Sequence, residues 1–238
     1  MKLLVKNVEK KFGENKVLKG INFEFEKGKI YGLLGRNGAG KSTFFNCINS
    51  DLDYTGEILL QDEENKTRVP DSNDIGYCVS EPVVPEFLTG REFLKFFLEI
   101  NGDRVRNKKT IEEYFDMMNI DHKDMNKLLK DYSLGMKNKM QMLVNIILDS
   151  ELLLLDEPLT SLDVVVAEEM KNLFKSLKKD HILIFSTHIM ELALDLCDEI
   201  VILSNGVLTK VEKKNMNKDY IIKFLKGDND VQEPTDNS

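Results

Sequence analysis

Apolar residues follow different periods in different parts of the chain. Ile21, Phe23 and Phe25 alternate with Asn22, Glu24 and Glu26, the two-residue period of a half-buried strand, and Gly28 turns the chain after it. Ile30 to Leu34 is a mostly apolar run that ends in glycine-rich sequence. Leu152 to Leu155 is an unbroken run of leucine, and Ile182 to Phe185 is a second apolar run. Both are short for helices, and such runs predict strands buried on both faces of a parallel sheet. Between them Ala167, Met170, Leu173, Phe174 and Leu177 recur at helical spacing. Strand, helix, strand is a βαβ unit, which predicts a parallel sheet. Ile200 to Leu203 and Val207 to Val211 flank Asn205-Gly206, two residues that tolerate positive φ, so a hairpin is predicted.

The middle of the chain reads differently. From Thr89 to Leu148 it is rich in Lys, Glu, Met and Leu at helical spacing, with little strand signal. This predicts a helical insertion, with Met117, Met118, Met125, Met136, Met140 and Met142 as core filler. Thr89 and Glu92 have capping-box spacing, so a helix should begin near Gly90. Phe87, Leu88, Phe93, Leu94, Phe96 and Phe97 crowd this entry, more apolar surface than one narrow core face needs. The predicted organisation is one α/β domain over 1–226, with a core at about 1–86 and 149–212 and a helical part at about 87–148. A polar, acidic tail at 227–238 follows.

Composition narrows the classes. The chain has 238 residues and is 42% hydrophobic and 31% charged, an ordinary globular balance. Its formal charge of -8 argues against nucleic acid as a partner and against lying on anionic lipid. No stretch approaches the roughly 18 apolar residues that span a bilayer. Charges at Lys2, Lys6, Glu9, Lys10 and Lys11 leave no signal-peptide core, so service to a membrane requires a partner. Cys47, Cys78 and Cys197 are widely spaced, which predicts buried reduced thiols. His122 and His181 stand in polar contexts and are expected at the surface.

The chemistry enters after the Ile30 to Leu34 strand. Gly35-Arg36-Asn37-Gly38-Ala39-Gly40-Lys41-Ser42-Thr43 satisfies GxxxxGK[ST] and opens a helix that carries Phe44, Phe45 and Ile48. The glycines let backbone N–H groups approach a polyphosphate, and the helix N-terminus adds its positive dipole end. Lys41 supplies a point charge for β- and γ-phosphates, and the Ser42 hydroxyl can hold Mg²⁺. Arg36 and Asn37 contribute backbone only. Leu152-Leu153-Leu154-Leu155-Asp156-Glu157 supplies a second half. Asp156 ends a buried strand, where open α/β sheets place ligands, and can hold Mg²⁺ through water. Glu157 points elsewhere and can take a proton from an attacking water.

With these motifs in order, residues 2 to 212 or so resemble the nucleotide-binding subunits of ABC (ATP-binding cassette) transporters. Phe12, in Lys-Lys-Phe-Gly, sits where that family stacks an aromatic ring on adenine. Tyr132-Ser133-Leu134-Gly135-Met136 sits at the family signature, usually LSGGQ or YSGGM. Ser161-Leu162-Asp163 resembles the loop that crosses the dimer interface. Ser186-Thr187-His188 resembles the switch loop whose imidazole reaches the γ-phosphate. Cys197 to Leu203 and the Asn205-Gly206 turn also match.

The resemblance implies a P-loop NTPase (RecA-like) α/β core with a β-subdomain and an inserted α-helical subdomain. It implies an ATPase using ATP and Mg²⁺, with Glu157 and His188 catalytic. Two cassettes would pair head to tail, alike or unlike, with Ser133, Gly135 and Asp163 serving the facing subunit's nucleotide. A separate transmembrane permease would hold the subunit at the inner face of the membrane, in the cytoplasm.

The chain departs from the family in two places. Leu134 replaces one of the two signature glycines, where a Cβ can obstruct approach to a phosphate. Ser80 holds the position of the usual loop glutamine, with Glu81 after it. Some exporters carry an acidic residue there, so Glu81 becomes a candidate for Mg²⁺ or the attacking water, and export the preferred direction. A soluble ABC-type ATPase acting on ribosomes or DNA and a P-loop kinase stand as alternatives. The acidity and the single cassette speak against the first, and Ser133, Gly135 and His188 against the second.

Overall fold

The computed structural model describes residues 1–105, 107–160, 162–212 and 216–226, with backbone alone for 223–226. A four-stranded antiparallel sheet has the order β2-β1-β4-β5, from β1 (Lys2–Phe12), β2 (Asn15–Glu26), β4 (Thr55–Gln61) and β5 (Thr67–Arg68). A six-stranded sheet has the order β10-β9-β3-β8-β7-β6. Its members are β3 (Ile30–Leu34), β6 (Ile75–Cys78), β7 (Leu152–Asp156), β8 (Ile182–Thr187), β9 (Glu199–Ser204) and β10 (Val207–Val211). All its pairings are parallel except the β9–β10 hairpin, where Asn205 and Gly206 take φ of 52° and 84°. Positive φ at both turn residues is what the Asn-Gly pair provides without strain.

The leucine run shows how one strand serves two cores. Leu152 and Leu154 pack with Phe44 and Phe45 of α1 (Lys41–Ile48) and with Leu3, Val5 and Phe25 of the antiparallel sheet. Leu153 and Leu155 turn to the opposite face, among Met140, Leu143, Met170 and Phe174. Ile182 and Ile184 join the first cluster, and Leu183 and Phe185 the second. Successive strand residues point to opposite faces, so a strand covered on both sides must be apolar throughout. Each fully buried ring or leucine here removes enough surface to contribute about 1.5–3 kcal/mol.

Helices supply the second cover. Between β6 and β7 lie α2 (Gly90–Ile100), α3 (Ile111–Met117), two short 3-10 turns and α4 (Leu134–Leu148). Thr89 caps α2 in a capping box with Glu92, and Thr110 does the same for α3 with Glu113. Met118, Met125, Met140 and Met142 are buried, while Met117 is exposed. Then come α5 (Val164–Leu177), α6 (Met190–Leu196) and α7 (Lys218–Lys226). Ile221 of α7 is buried against Met190 and Ala193 of α6. The tail at 227–238 and Ser161 lie outside the described residues.

The expectation that His181 is a surface residue does not hold. His181 is buried, with its Nδ1 2.7 Å from the Ser150 carbonyl oxygen and Asp149 3.8 Å from Nε2. Polar neighbours in sequence hid a ring that pairs with backbone. His122 is exposed, as expected, beside Asp116. The three cysteines are free. Burial pushes the Cys47 thiol up to about 11 and Cys78 to about 12, so both stay protonated.

Candidate active site

The phosphate loop starts where β3 ends. Gly35 N–H donates to the Thr187 carbonyl at 3.3 Å, which ties the loop to the neighbouring strand β8. Gly40 then sits at φ 102° as the N-cap of α1, and a Cβ there would meet Val17 Cγ1 at 2.8 Å. Gly40 has no side chain to cap the helix, so first-turn N–H groups of Lys41, Ser42 and Thr43 face a cleft of about 340 Å³. Asn37, Gly38, Ser80, Asp156 and Glu157 line the same cleft. An uncapped helix end of this kind is suited to an anion. Arg36 is exposed at the loop's edge, and Ala39 N–H closes the loop on the Arg36 carbonyl at 3.1 Å. Lys41 is buried, with Nζ donating to the Gly35 carbonyl at 2.9 Å and lying 3.4 Å from Glu157 Oε1.

The end of β7 separates two carboxylates. Asp156 continues the strand and accepts the Ser42 hydroxyl at 2.6 Å on Oδ2 and the Ser186 hydroxyl on Oδ1. Glu157 takes φ 51°, a left-handed conformation unusual for this residue, and the sharp bend throws its side chain away from Asp156. Its carboxylate accepts Thr160 Oγ1–H at 2.9 Å and meets His188 Nδ1 at 2.9 and 3.0 Å. Ser186 Oγ also accepts the Glu157 N–H at 3.0 Å, so one hydroxyl holds both acidic residues. No sequence pattern marks Ser186 or Thr160 as a holder of the carboxylates.

Mg²⁺ fits this donor set. Ser42 and Asp156 put two hard oxygens at the rim of the phosphate cleft. Among the described residues no cluster of three or more His, Cys, Asp or Glu forms a complete cage. One or two protein oxygens, with phosphate and water completing the shell, is how Mg²⁺ is ordinarily held.

A wider cleft of about 660 Å³ opens beside the first, lined by Glu81, Leu134, Lys137, Glu157, Thr160 and His188 among others. Ser133 caps α4 by accepting the Met136 N–H at 3.2 Å, and Leu134 is exposed. Gly135 is buried, and a Cβ there would meet Val166 Cγ1 at 3.1 Å, a packing reason for glycine. Asp163 caps α5, accepting Val165 and Val166 N–H at 3.0 Å each. Neither Ser133, Gly135 nor Asp163 lines the phosphate cleft of its own chain. Phe12 is half-exposed on the β1–β2 hairpin that also sends Val17 to that cleft.

Comparison with known proteins agrees with this architecture. The profile of the family described as ABC transporter matches residues 18–160. An uncharacterized ABC transporter ATP-binding protein of Methanocaldococcus jannaschii is 33% identical over 208 residues, 86% of this chain and 75% of that protein. The bacitracin transport ATP-binding protein of Enterococcus faecalis is 31% identical over 216 residues, 89% of this chain and 68% of that one. Among solved structures, a dimeric ATP-binding cassette in a post-hydrolysis state bound to ADP and Pi superposes with a TM-score of 0.72 at 23% identity. That match covers 88% of this chain and 99% of the other. Fold and phosphate loop together define a P-loop ATPase. The chain belongs to the ABC transporter family, as an ATP-binding subunit. Among the described residues no helix is long and apolar enough to cross a membrane.

Proposed function

We propose that residues 1–226 work as one cassette of a two-cassette engine that hydrolyses ATP at the subunit interface and drives export through a separate transmembrane permease. The observation that carries this reading is the position of Glu157. Its carboxylate stands 3.4 Å from Lys41 Nζ and 2.9 Å from His188 Nδ1, beside the phosphate cleft and apart from Asp156. Glu157 is then free of metal binding and able to take a proton from water, with His188 orienting it and reaching the γ-phosphate. Lys41 turns from the Gly35 carbonyl to the β- and γ-phosphates, and the N–H groups from Gly38 to Thr43 wrap them. Ser42 and Asp156 would hold Mg²⁺, which would supply positive charge against the phosphates. Glu81 lines the wider cleft alongside, with Glu157 and His188, and would act at Mg²⁺ or the water. Phe12 stacks on adenine, and Ser133, Gly135 and Asp163 serve the facing cassette.

The dimeric form of the solved cassette bound to ADP and Pi is consistent with the pairing. Transport of bacitracin and of a lantibiotic by relatives about 30% identical is in keeping with export. The permease is expected to dock on the entry to α2. Phe87 is 79% and Phe96 55% exposed there, with Phe93 and Phe97 half-buried and Leu94 fully buried. Such a floor suits a short amphipathic helix, and this docking keeps the subunit at the inner face of the membrane.

The reading is tested with Glu157→Gln. It should bind ATP with Mg²⁺, hydrolyse it about 10²–10⁴-fold more slowly, and accumulate as a dimer by light scattering. Turnover at the wild-type rate would refute the assignment of the base.

A further inference from the structure

Gln141 is a buried polar side chain on α4, about two turns past the Ser133 cap. Its amide grips both ends of the loop that follows β6. Nε2 donates to the Val79 carbonyl at 3.0 Å, and Oε1 accepts the Val83 N–H at 3.0 Å. One turn further along the helix, Asn145 Nδ2 donates to Cys78 Sγ at 3.2 Å and to the Gln141 carbonyl at 2.8 Å. Strand end and loop are thus stapled to one helix. Between the two Gln141 bonds lie Ser80, Glu81 and Pro82. Ser80 lines the phosphate cleft, and all three line the wider cleft with Glu157 and His188. The Val83 side chain is 78% exposed, so within the loop the Val83 end is held by its backbone bond to Gln141, and Val84 then returns the chain to the core. A buried amide satisfied at both ends is costly to disturb, because either half left unpaired keeps its desolvation penalty.

We propose that Gln141 is a positioning residue for ATP hydrolysis, fixing the Ser80–Pro82 loop to α4 so that Glu81 moves with that helix. The inference rests on the reading that Glu81 acts at Mg²⁺ or the attacking water. The family resemblance implies a glutamine where this loop carries Ser80. Here Ser80 is too short, and the amide that defines the loop comes from the helix instead. The same helix carries Ser133 and Leu134 at its N-terminus. A force on that end therefore reaches Glu81 through one rigid piece.

The test uses the full chain with Gln141→Met, Glu81→Gln and the double variant. Met keeps the length of the side chain and removes both bonds. ATP affinity should hold, while kcat falls roughly 10- to 100-fold, the range for losing a partner that orients a metal-site group. The Mg²⁺ concentration for half-maximal rate should rise. The double variant should be no slower than Glu81→Gln alone. Independently of turnover, hydrogen exchange in the nucleotide-free wild-type protein should find the Val83 amide protected, and free in Gln141→Met. Gln141→Glu keeps the acceptor for Val83 and loses the donor to Val79, so it should be slowed as well; it replaces the Met variant if that one does not fold. Wild-type kcat and Mg²⁺ dependence in these variants, multiplicative effects in the double variant, or an unprotected Val83 amide in the wild type would each overturn the inference. If Glu81→Gln is still slow in those cases, the reading of Glu81 stands without Gln141. Full activity of Glu81→Gln removes that reading, and the inference with it.

Discussion

Ser186→Ala should cost both stability and turnover, and the size of each follows from two hydrogen bonds. The side chain is fully buried at the end of β8. Its hydroxyl donates to Asp156 Oδ1 and accepts the Glu157 N–H at 3.0 Å. Alanine removes both bonds and leaves a gap of one oxygen atom, smaller than the roughly 30 Å³ share of a water molecule. Neither group then regains a partner. A bond to a charged acceptor contributes about 1.5–3 kcal/mol and one to a neutral amide about 1 kcal/mol. The loss should be roughly 3 kcal/mol, a large share of an ordinary stability of 5–15 kcal/mol. For a chain of this size that is a fall of about 6–12 °C in Tm. The Glu157 backbone, already at φ 51°, also loses the bond that fixes its bend. Loss of such an orienting group typically costs about 10–100-fold in activity. Thermal unfolding and steady-state ATPase rates measure the two effects. Ser186→Ala with lowered Tm and wild-type kcat would show that the hydroxyl serves the fold alone, and the argument linking it to both carboxylates would fail.

Two further outcomes follow. Arg68 beside Asp74, with help from the Asp71 N–H, holds the Asp74 carboxyl below the usual carboxylate range. A depressed folded pKa contributes stability above the unfolded value, near 4 or so, and loses it as pH falls through the folded one. Urea midpoints of wild type and Asp74→Asn should therefore differ at pH 7 and converge as the solution is acidified toward pH 3 or so; a gap independent of pH contradicts this. On the docking floor, Phe87→Ser should weaken capture of the membrane partner and lower transport while ATP binding by the free subunit persists. Equal partner binding would move the docking site elsewhere.

The site was legible where chemistry is packed into consecutive residues, and the fold where periodicity is unbroken. Gly35 to Thr43 and Asp156-Glu157 are local patterns, and β3, β7, β8 and the β9–β10 hairpin lie where their apolar runs predict. β1 escaped for a physical reason. Leu3 and Val5 share a face, but Asn7 takes φ 50° and the pairing register shifts between Val5 and Val8, so Val8 returns to the core out of phase. A bulge of this kind erases the two-residue period. In β4 only Ile58 and Leu60 are buried, too few to establish a period. Gln141 and Ser186 matter through partners 62 and 30 positions away, and no spacing rule reaches that far; Thr160 lies three residues from Glu157 but meets its carboxylate at the sharp bend where Glu157 takes φ 51°.

Helix caps separate the residues proposed to meet phosphate from those that settle their own helices. At α2, α3, α4 and α5 a side-chain oxygen from Thr89, Thr110, Ser133 or Asp163 satisfies first-turn N–H groups, whereas Gly40 leaves α1 uncapped. Of these helices, α1 is therefore the one whose N-terminus calls for an external anion. Capping does not disqualify Ser133, because a hydroxyl accepts and donates at once. It accepts the Met136 N–H, and under the proposed pairing its own O–H would be left for a phosphate oxygen of the facing cassette. Asp163 differs. An ionised carboxylate only accepts, and its Oδ1 is already engaged by Val165 and Val166 N–H groups. Its charge would repel a phosphate at close range. Asp163 holds the turn into α5, and under the proposed pairing its second oxygen would meet a donor of the facing subunit, beside the nucleotide rather than on it.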